Sequence, residues 1–485
     1  MFEPFLSTAT VQAADPSPWM LLPFAALLLA IAIMPFANLH WWERHYEKVS
    51  LLLGAITVFI YLVVLRNQTA VLHTALDYVS FMALIGSLFV VAGGIHISVK
   101  GEASPARNCL FLLIGAVLAN IIGTTGASML MIRPWIRMNK YRITAYHTVF
   151  FIFIISNVSG CLTPIGDPPL FLGFLKGIPF WWTLHHLWIP WAVVLALLLT
   201  VFYFFDRRNF MKAPPVVRAL EAGHETFKIT GLHNIFFIAV VLSGIFFDPP
   251  WREGLMLSAA FGSYFTTSRQ IHESNHFNFA PIREVGFLFL GIFATMMPAL
   301  DYMSLHSKEF GLGSPLTYYF SCGFLSSVLD NAPTYLTFLN ASFGLFVDPV
   351  IVDQVGRLAA AHGSGLGSIT GTHSEAIRNT YGVLERYHAD WIGSADIPRD
   401  RIETAYLLGN HSLYIIAISL GAVFFGAMTY IGNGPNLMVK SITERAGVKT
   451  PGFFGYLFKY ALPILFPVLI AVGLVFLKFF PDIVR

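Results

Sequence analysis

Apolar residues in this chain come in long uninterrupted runs, not in the alternating or 3.6-residue patterns of elements that face a soluble core on one side. Pro18 to Pro35, Val49 to Leu65, Tyr78 to Ser98, Leu187 to Phe205, Val285 to Leu300 and Tyr460 to Leu477 contain no Asp, Glu, Lys or Arg. Several approach the ~20 residues with which a helix crosses a bilayer, and the shorter ones suffice in a tilted bundle. The pattern predicts spans near 18–37, 49–65, 78–98 and 187–205, then near 232–247, 254–268, 285–300 and 460–480.

Four further apolar segments are interrupted. Asn120-Ile-Ile-Gly-Thr-Thr-Gly-Ala-Ser128, in the middle of Cys109 to Ile132, is too rich in Gly and Thr for a lipid-facing helix and reads as the tip of a re-entrant hairpin. Leu316 to Phe346, with S-S-V-L-D-N-A-P-T at its centre, reads as a second. Ile143 to Leu175 and Thr404 to Ile442 are expected to be broken helices, because each carries a version of one motif: G-C-L-T-P-I-G-D-P-P from Gly160 and G-A-M-T-Y-I-G-N-G-P from Gly426. Prolines lack the N–H donor and clash with the preceding turn, while Gly relaxes the backbone, so no helix runs through Thr-Pro-Ile-Gly-Asp-Pro-Pro. At membrane depth such a break is tolerated only where protein or a water-filled cavity surrounds it. A pair of breaks in corresponding halves of a chain points to a transporter's binding site.

The duplication can be checked by spacing. The two motifs are offset by 266 residues and the two hairpin tips by about 207, and the difference of 59 nearly equals one polar segment, Asp348 to Glu403. The organisation expected is a first transmembrane repeat at 1–205, a cytoplasmic connector at 206–231, a second repeat at 232–347 and 404–485, and an extracytoplasmic insertion at 348–403 with one helix near Ser374 to Asp390. The fold class is thus all-α polytopic, with two inverted-topology repeats, each holding a re-entrant hairpin and a broken transmembrane helix.

Composition agrees: of 485 residues 56% are hydrophobic and only 12% charged, against about 25% charged in a soluble domain. Cys109, Cys161 and Cys322 sit in apolar surroundings without metal-ligand or disulfide spacing, and His362, His373 and His388 of the insertion also lack ligand spacing. The first twenty residues lack the basic region of a signal peptide, so the first apolar run is read as a true span. With the N-terminus outside, 19 Lys and Arg fall on the cytoplasmic side and 11 outside, five of those 11 in the long insertion. That asymmetry predicts a multi-pass inner-membrane protein with both termini extracytoplasmic. G-x-S-x-G is absent, H-E-x-x-H occurs once, at His272 to His276 in a short polar link, and no nucleic-acid partner or enzyme activity is expected.

The irregular elements carry the candidate chemistry. Tips and breaks expose hydroxyls, carbonyls and helix N-termini at membrane depth, where they can replace an ion's water shell. Asp167 lies in the first break and Asp330 in the second tip, beside Asn331. A charge near the bilayer centre costs at least ~2.5 kcal/mol, so it has a partner or a function. Burial penalises the ionised form, so a proton and a small cation would compete for these carboxylates. Capping of a helix start is the bland alternative for both and is compatible with ion binding. The candidate ion- or substrate-binding set is Asn120, Thr124, Thr125, Asn157, Thr163, Gly166, Asp167, Asp330, Asn331, Thr334, Thr429, Gly432, Asn433 and Asn436, with Asp167 and Asp330 as sodium ligands. Asp330 is expected to be the more sensitive acid, since neutral Asn433 stands at the repeat position of Asp167.

S-N-V-S-G-C-L-T-P-I-G-D-P-P-L, V-L-D-N-A-P-T and T-Y-I-G-N-G-P-N together resemble the ion transporter superfamily, in particular NhaD-type sodium/proton antiporters, whose fold also serves citrate and dicarboxylate carriers and arsenite pumps. The resemblance implies a secondary active transporter that dimerises through a scaffold and moves its transport region like an elevator. It implies sodium and protons as coupled ions, with no other cofactor. Sodium/proton antiport is the first expectation, and sodium- or proton-coupled citrate or dicarboxylate transport is the alternative. Pro168-Pro169 and the long insertion depart from the typical antiporter pattern.

Overall fold

The computed structural model describes residues 15–100, 103–212, 226–394 and 397–484. The start of the N-terminal stretch and residues 213–225 of the connector lie outside them. Among the described residues, seven helices are long and apolar enough to cross a membrane, or up to nine if each of two bent helix pairs is one span. The fold is all-α and polytopic.

Three helices open the chain: α1 (Leu22–Ala37), α2 (Leu39–Phe59, continued to Val64 by a wider π turn) and α3 (Gln68–Gly93). After the short strand β1 (His96–Lys100) comes α4 (Pro105–Met138), then α5 (Ala145–Ile154), α6 (Pro168–Leu175) and α7 (Phe180–Lys212). Strand β2 (Thr226–Thr230) opens the second half and pairs antiparallel with β1, His96 opposite Thr230. This ribbon was not expected from the sequence, where β1 begins within the apolar run read as a span at 78–98 and β2 lies in a polar link. Helices α8 (Asn234–Gly244), α9 (Trp251–Thr266), α10 (Arg269–Ser274) and α11 (Ala280–His306) follow. Next come α12 (Pro315–Val328) and α13 (Asn331–Phe346). Helices α1, α2 and α3 pack on α11, and α9 packs on α3 and α8, forming a scaffold bundle.

By length α4 alone would span a membrane, yet it folds back on itself. Gly123 adopts φ +78°, a left-handed conformation that only Gly takes without strain, and splits it into two legs. Asn108 and Asn139, 31 residues apart and therefore about 46 Å apart along a straight helix, exchange side-chain hydrogen bonds of 2.8 and 3.2 Å. Phe111 stacks on Trp135 further along the legs. The expected re-entrant hairpin is present. Its root is tied down by Asp206 of α7, which accepts from Asn108 Nδ2 (2.8 Å), Tyr146 Oη (2.9 Å) and both terminal nitrogens of Arg142. The second hairpin is α12 and α13 with its tip at Leu329 and Asp330; Tyr318 meets Phe338 edge-on between its legs.

The insertion holds more structure than one helix. It contains α14 (Pro349–Ala360), α15 (Ser374–Tyr387) and most of the first turns of α16 (Arg399–Asn410). The chain bends by 91° from α13 into α14 and by 97° from α16 into α17 (Ser412–Phe425), so the segment leaves and rejoins the bundle at sharp corners. Helix α14 buries Ile351, Val352, Val355 and Ala359 along one stripe, as a helix lying on a surface does. Helices α18 (Gly434–Arg445) and α19 (Phe453–Phe479) end the chain.

Candidate functional site

Both motifs break their helices as expected. Helix α5 ends at Ile154 and α6 starts at Pro168; α17 ends at Phe425 and α18 starts at Gly434. Within each break the two motif glycines face each other: a Cβ on Gly166 would strike the Gly160 backbone, and one on Gly432 would come within 2.6 Å of the Gly426 carbonyl. The close approach requires Gly at both places.

Each break is bonded to the hairpin tip of its own half. Thr163 Oγ1 donates to the Asn120 carbonyl at 2.7 Å, and Thr429 Oγ1 donates to the Ser327 carbonyl at 2.6 Å. These equivalent bonds join residues 43 and 102 apart, a difference of 59 that reproduces the insertion's offset. Asn120 further ties tip to break by accepting from the Leu162 N–H at 3.1 Å, while Thr124 N donates to the Gly166 carbonyl at 2.8 Å.

All four irregular elements converge on Asp167, which is 0% exposed. Its Oδ1 accepts from Thr124 Oγ1 at 2.9 Å and from Asn433 Nδ2 at 3.1 Å, and its Oδ2 accepts from Asn331 Nδ2 at 2.5 Å. Thr124 and Asn331 occupy equivalent positions of the two tips, and Asn433 is the repeat partner of Asp167 itself. Asn157 and Asn436 form the adjoining cross-repeat pair, with Asn157 Nδ2 donating to Asn436 Oδ1 at 2.7 Å. Asn436 Nδ2 then donates to the Gly426 and Thr429 carbonyls, both at 2.9 Å. The side-chain oxygens of Asn157 and Asn331 are buried without a hydrogen-bond partner. Two unpartnered amide oxygens near a buried carboxylate are donors of the hard type that alkali and alkaline-earth cations take.

Asp330 is not a hydrogen-bond partner of Asp167, although it lies near enough to repel it. It is half-buried, caps α13 by accepting from Ala332 N at 3.0 Å, and its carbonyl accepts from Thr334 Oγ1 at 3.0 Å. Its neighbour Asn331 reaches Asp167 instead. Thr125 lines a cavity of about 30 Å3 between the first tip, the first break and Leu84 and Leu88 of α3, where Gly166 and Pro168 bracket Asp167. That volume holds a water or two but not a six-carbon acid. Ser327, whose carbonyl receives Thr429, was not in the candidate set; it lies 207 residues after Asn120, so the tip offset was the signal that could have found it.

The family model described as "Putative citrate transport" matches residues 13–477. The chain belongs to this family. No curated protein matches the chain. The match spans both hairpins, both breaks and the insertion. The chain is a multi-pass membrane protein of a transport family, not of an enzyme family.

Proposed function

We propose that this protein is a secondary transporter that carries citrate or a related small carboxylate together with a sodium ion or proton, coupled at Asp167. The family match favours this reading over sodium/proton antiport without an organic substrate. The observation that carries it is the set of partners of Asp167: hydroxyl and amide groups from both tips and the second break, with no Lys or Arg donating to it among the described residues. Two like charges 4 Å apart repel by about 4 kcal/mol at an effective dielectric constant of 20. A carboxylate substrate therefore binds beside Asp167 only after a cation or proton has neutralised it, and that order of events is coupling. Once Asp167 is neutralised, the Thr124 hydroxyl and the Asn331 amide, which otherwise donate to it, are the donors that can turn to the anion. Such a substrate requires α3 to separate from the first tip, because the cavity between them is water-sized.

Sodium/proton antiport is a second reading, favoured by that small volume and by the two unpartnered amide oxygens. Proteoliposomes separate the two. Uptake of radiolabelled citrate that follows an imposed sodium or pH gradient and stops when the gradient is dissipated is expected. Sodium-driven proton movement with no citrate uptake would replace the proposal with the antiporter reading.

A further inference from the structure

Behind the first break, between α4, α7 and α8, lies a second and larger cavity of about 310 Å3. No residue of α3 lines it, so it sits apart from the water-sized cavity beside Asp167. Its rim is open to the outer face of the bundle: Val117, Ile121 and Trp181 are 51%, 40% and 59% exposed. Its walls are apolar apart from Asn120 and Thr163, whose polar atoms are already engaged. Asn120 Nδ2 donates to the Ala116 carbonyl, its Oδ1 accepts from Leu162 N, and Thr163 Oγ1 both donates to Asn120 and accepts from Gly166 N. The buried indole N–H of Trp191 has no partner. An ordered water needs two to four partners, and one donor does not hold it. The crevice has about ten times the ~30 Å3 share of a liquid water, so leaving it empty forfeits many dispersion contacts. In a bilayer the abundant species that is apolar, flexible and thin enough for it is an acyl chain.

The geometry points to a phospholipid acyl-chain site in this crevice, packed against the back of the first break. Ile165 lines both this crevice and the cavity bracketing Asp167, and Leu162 and Thr163 make the bonds that fasten break to tip. A seated chain therefore buttresses the contact on which the geometry of Asp167 depends. A lipophilic compound that displaced it would slow turnover without competing with the substrate. This last consequence rests on the functional reading of Asp167; the binding of the chain does not.

The test uses the full chain reconstituted in phospholipid carrying a photoactivatable diazirine on the acyl chain, with adducts mapped by peptide mass spectrometry. Adducts are expected on Leu184, Trp191 and Leu242, and these should survive dilution with excess maltoside detergent that removes labelling from the open face at Leu52 and Phe59. Leu184→Trp should fill the crevice and abolish its adducts while Leu52 and Phe59 remain labelled; Leu242→Phe is the milder filling variant should the first fail to fold. Crevice labelling that is no more persistent than that of Leu52 and Phe59, or that is undiminished in both variants, would overturn the site. Citrate uptake in the same vesicles is scored separately. Uptake with an unlabelled crevice overturns the lipid site alone, and a labelled crevice without uptake overturns the citrate reading alone.

Discussion

Asp167 lies in a break and Asp330 in a hairpin tip, but only Asp167 is hydrogen-bonded by groups from both halves of the chain. Replacing it with Asn leaves the shape and removes the charge that a cation would neutralise. An attraction of about 4 kcal/mol corresponds to roughly a thousandfold in affinity. Asp167→Asn should therefore lose gradient-coupled transport, and its sodium dependence should vanish in vesicles containing correctly inserted protein. Asp330→Asn keeps an N-cap of equal quality and should transport at near wild-type rates, whereas Asp330→Ala should lose about 1 kcal/mol of stability. This reverses the order expected from the sequence, where neutral Asn433 at the repeat position of Asp167 made Asp330 the more sensitive acid. The structure shows Asn433 instead donating to Asp167, so the two repeat positions act as one pair. Full coupled transport by Asp167→Asn would refute the central role of this carboxylate.

At the scale of elements, the breaks and hairpins were legible because Gly, Pro and Asp/Asn in an apolar segment leave the chain no helical alternative. The tip at Gly123 was legible for the same reason, although α4 is long enough to be mistaken for a span. What was not legible is tertiary. Which acid becomes central depends on contacts between residues 43, 164 and 266 positions apart, and nothing in local pattern distinguishes Asp167 from Asp330. The β1–β2 ribbon escaped because β1 begins inside the end of an apolar run and a five-residue strand has little signal beside runs of twenty. The paired glycines make a test at this scale. A Cβ at Gly432 would lie 2.6 and 2.7 Å from the Gly426 and Ser326 carbonyls, and overpacking of this kind costs about 1–3 kcal/mol. Gly166→Ala and Gly432→Ala should each lower the melting temperature of the purified protein, while Gly434→Ala, which meets nothing, should not. Equal melting for all three would contradict the close approach within the breaks.

Over the whole molecule, the insertion and the helix that leaves it are fastened to the opposite repeat. Thr404 Oγ1 donates to the Lys176 carbonyl at 2.5 Å, and the His388 ring lies 3.2 Å from the Gly177 carbonyl, so the loop joining α6 to α7 is held from outside. Burial first, then the nearby Arg401 cation, pushes the His388 imidazole below the usual histidine range. A base whose folded pKa lies below its unfolded value gives its full stabilisation above about pH 6.5 and loses it as the pH falls from there. Proteolysis of residues 348–403 should accordingly quicken in mild acid, and His388→Gln should flatten that dependence.

The same loop also touches the scaffold: Lys176 Nζ lies 3.1 Å from Asp77 Oδ2 of α3, at the junction where α3 faces the first break. If the tips and breaks travel past α3 to carry a substrate across, this pair must part in every cycle, and a link placed across it must stop transport. The pair itself is half-exposed and worth no more than about 1 kcal/mol, so Lys176→Gln alone should barely change uptake. With Asp77 and Lys176 both replaced by Cys, a short bis-thiol reagent should abolish uptake, and a reagent cleaved by reductant should restore it. Full uptake by completely cross-linked protein would mean that α3 and the α6–α7 loop move together, and that access to Asp167 changes by motion of the hairpin tips alone.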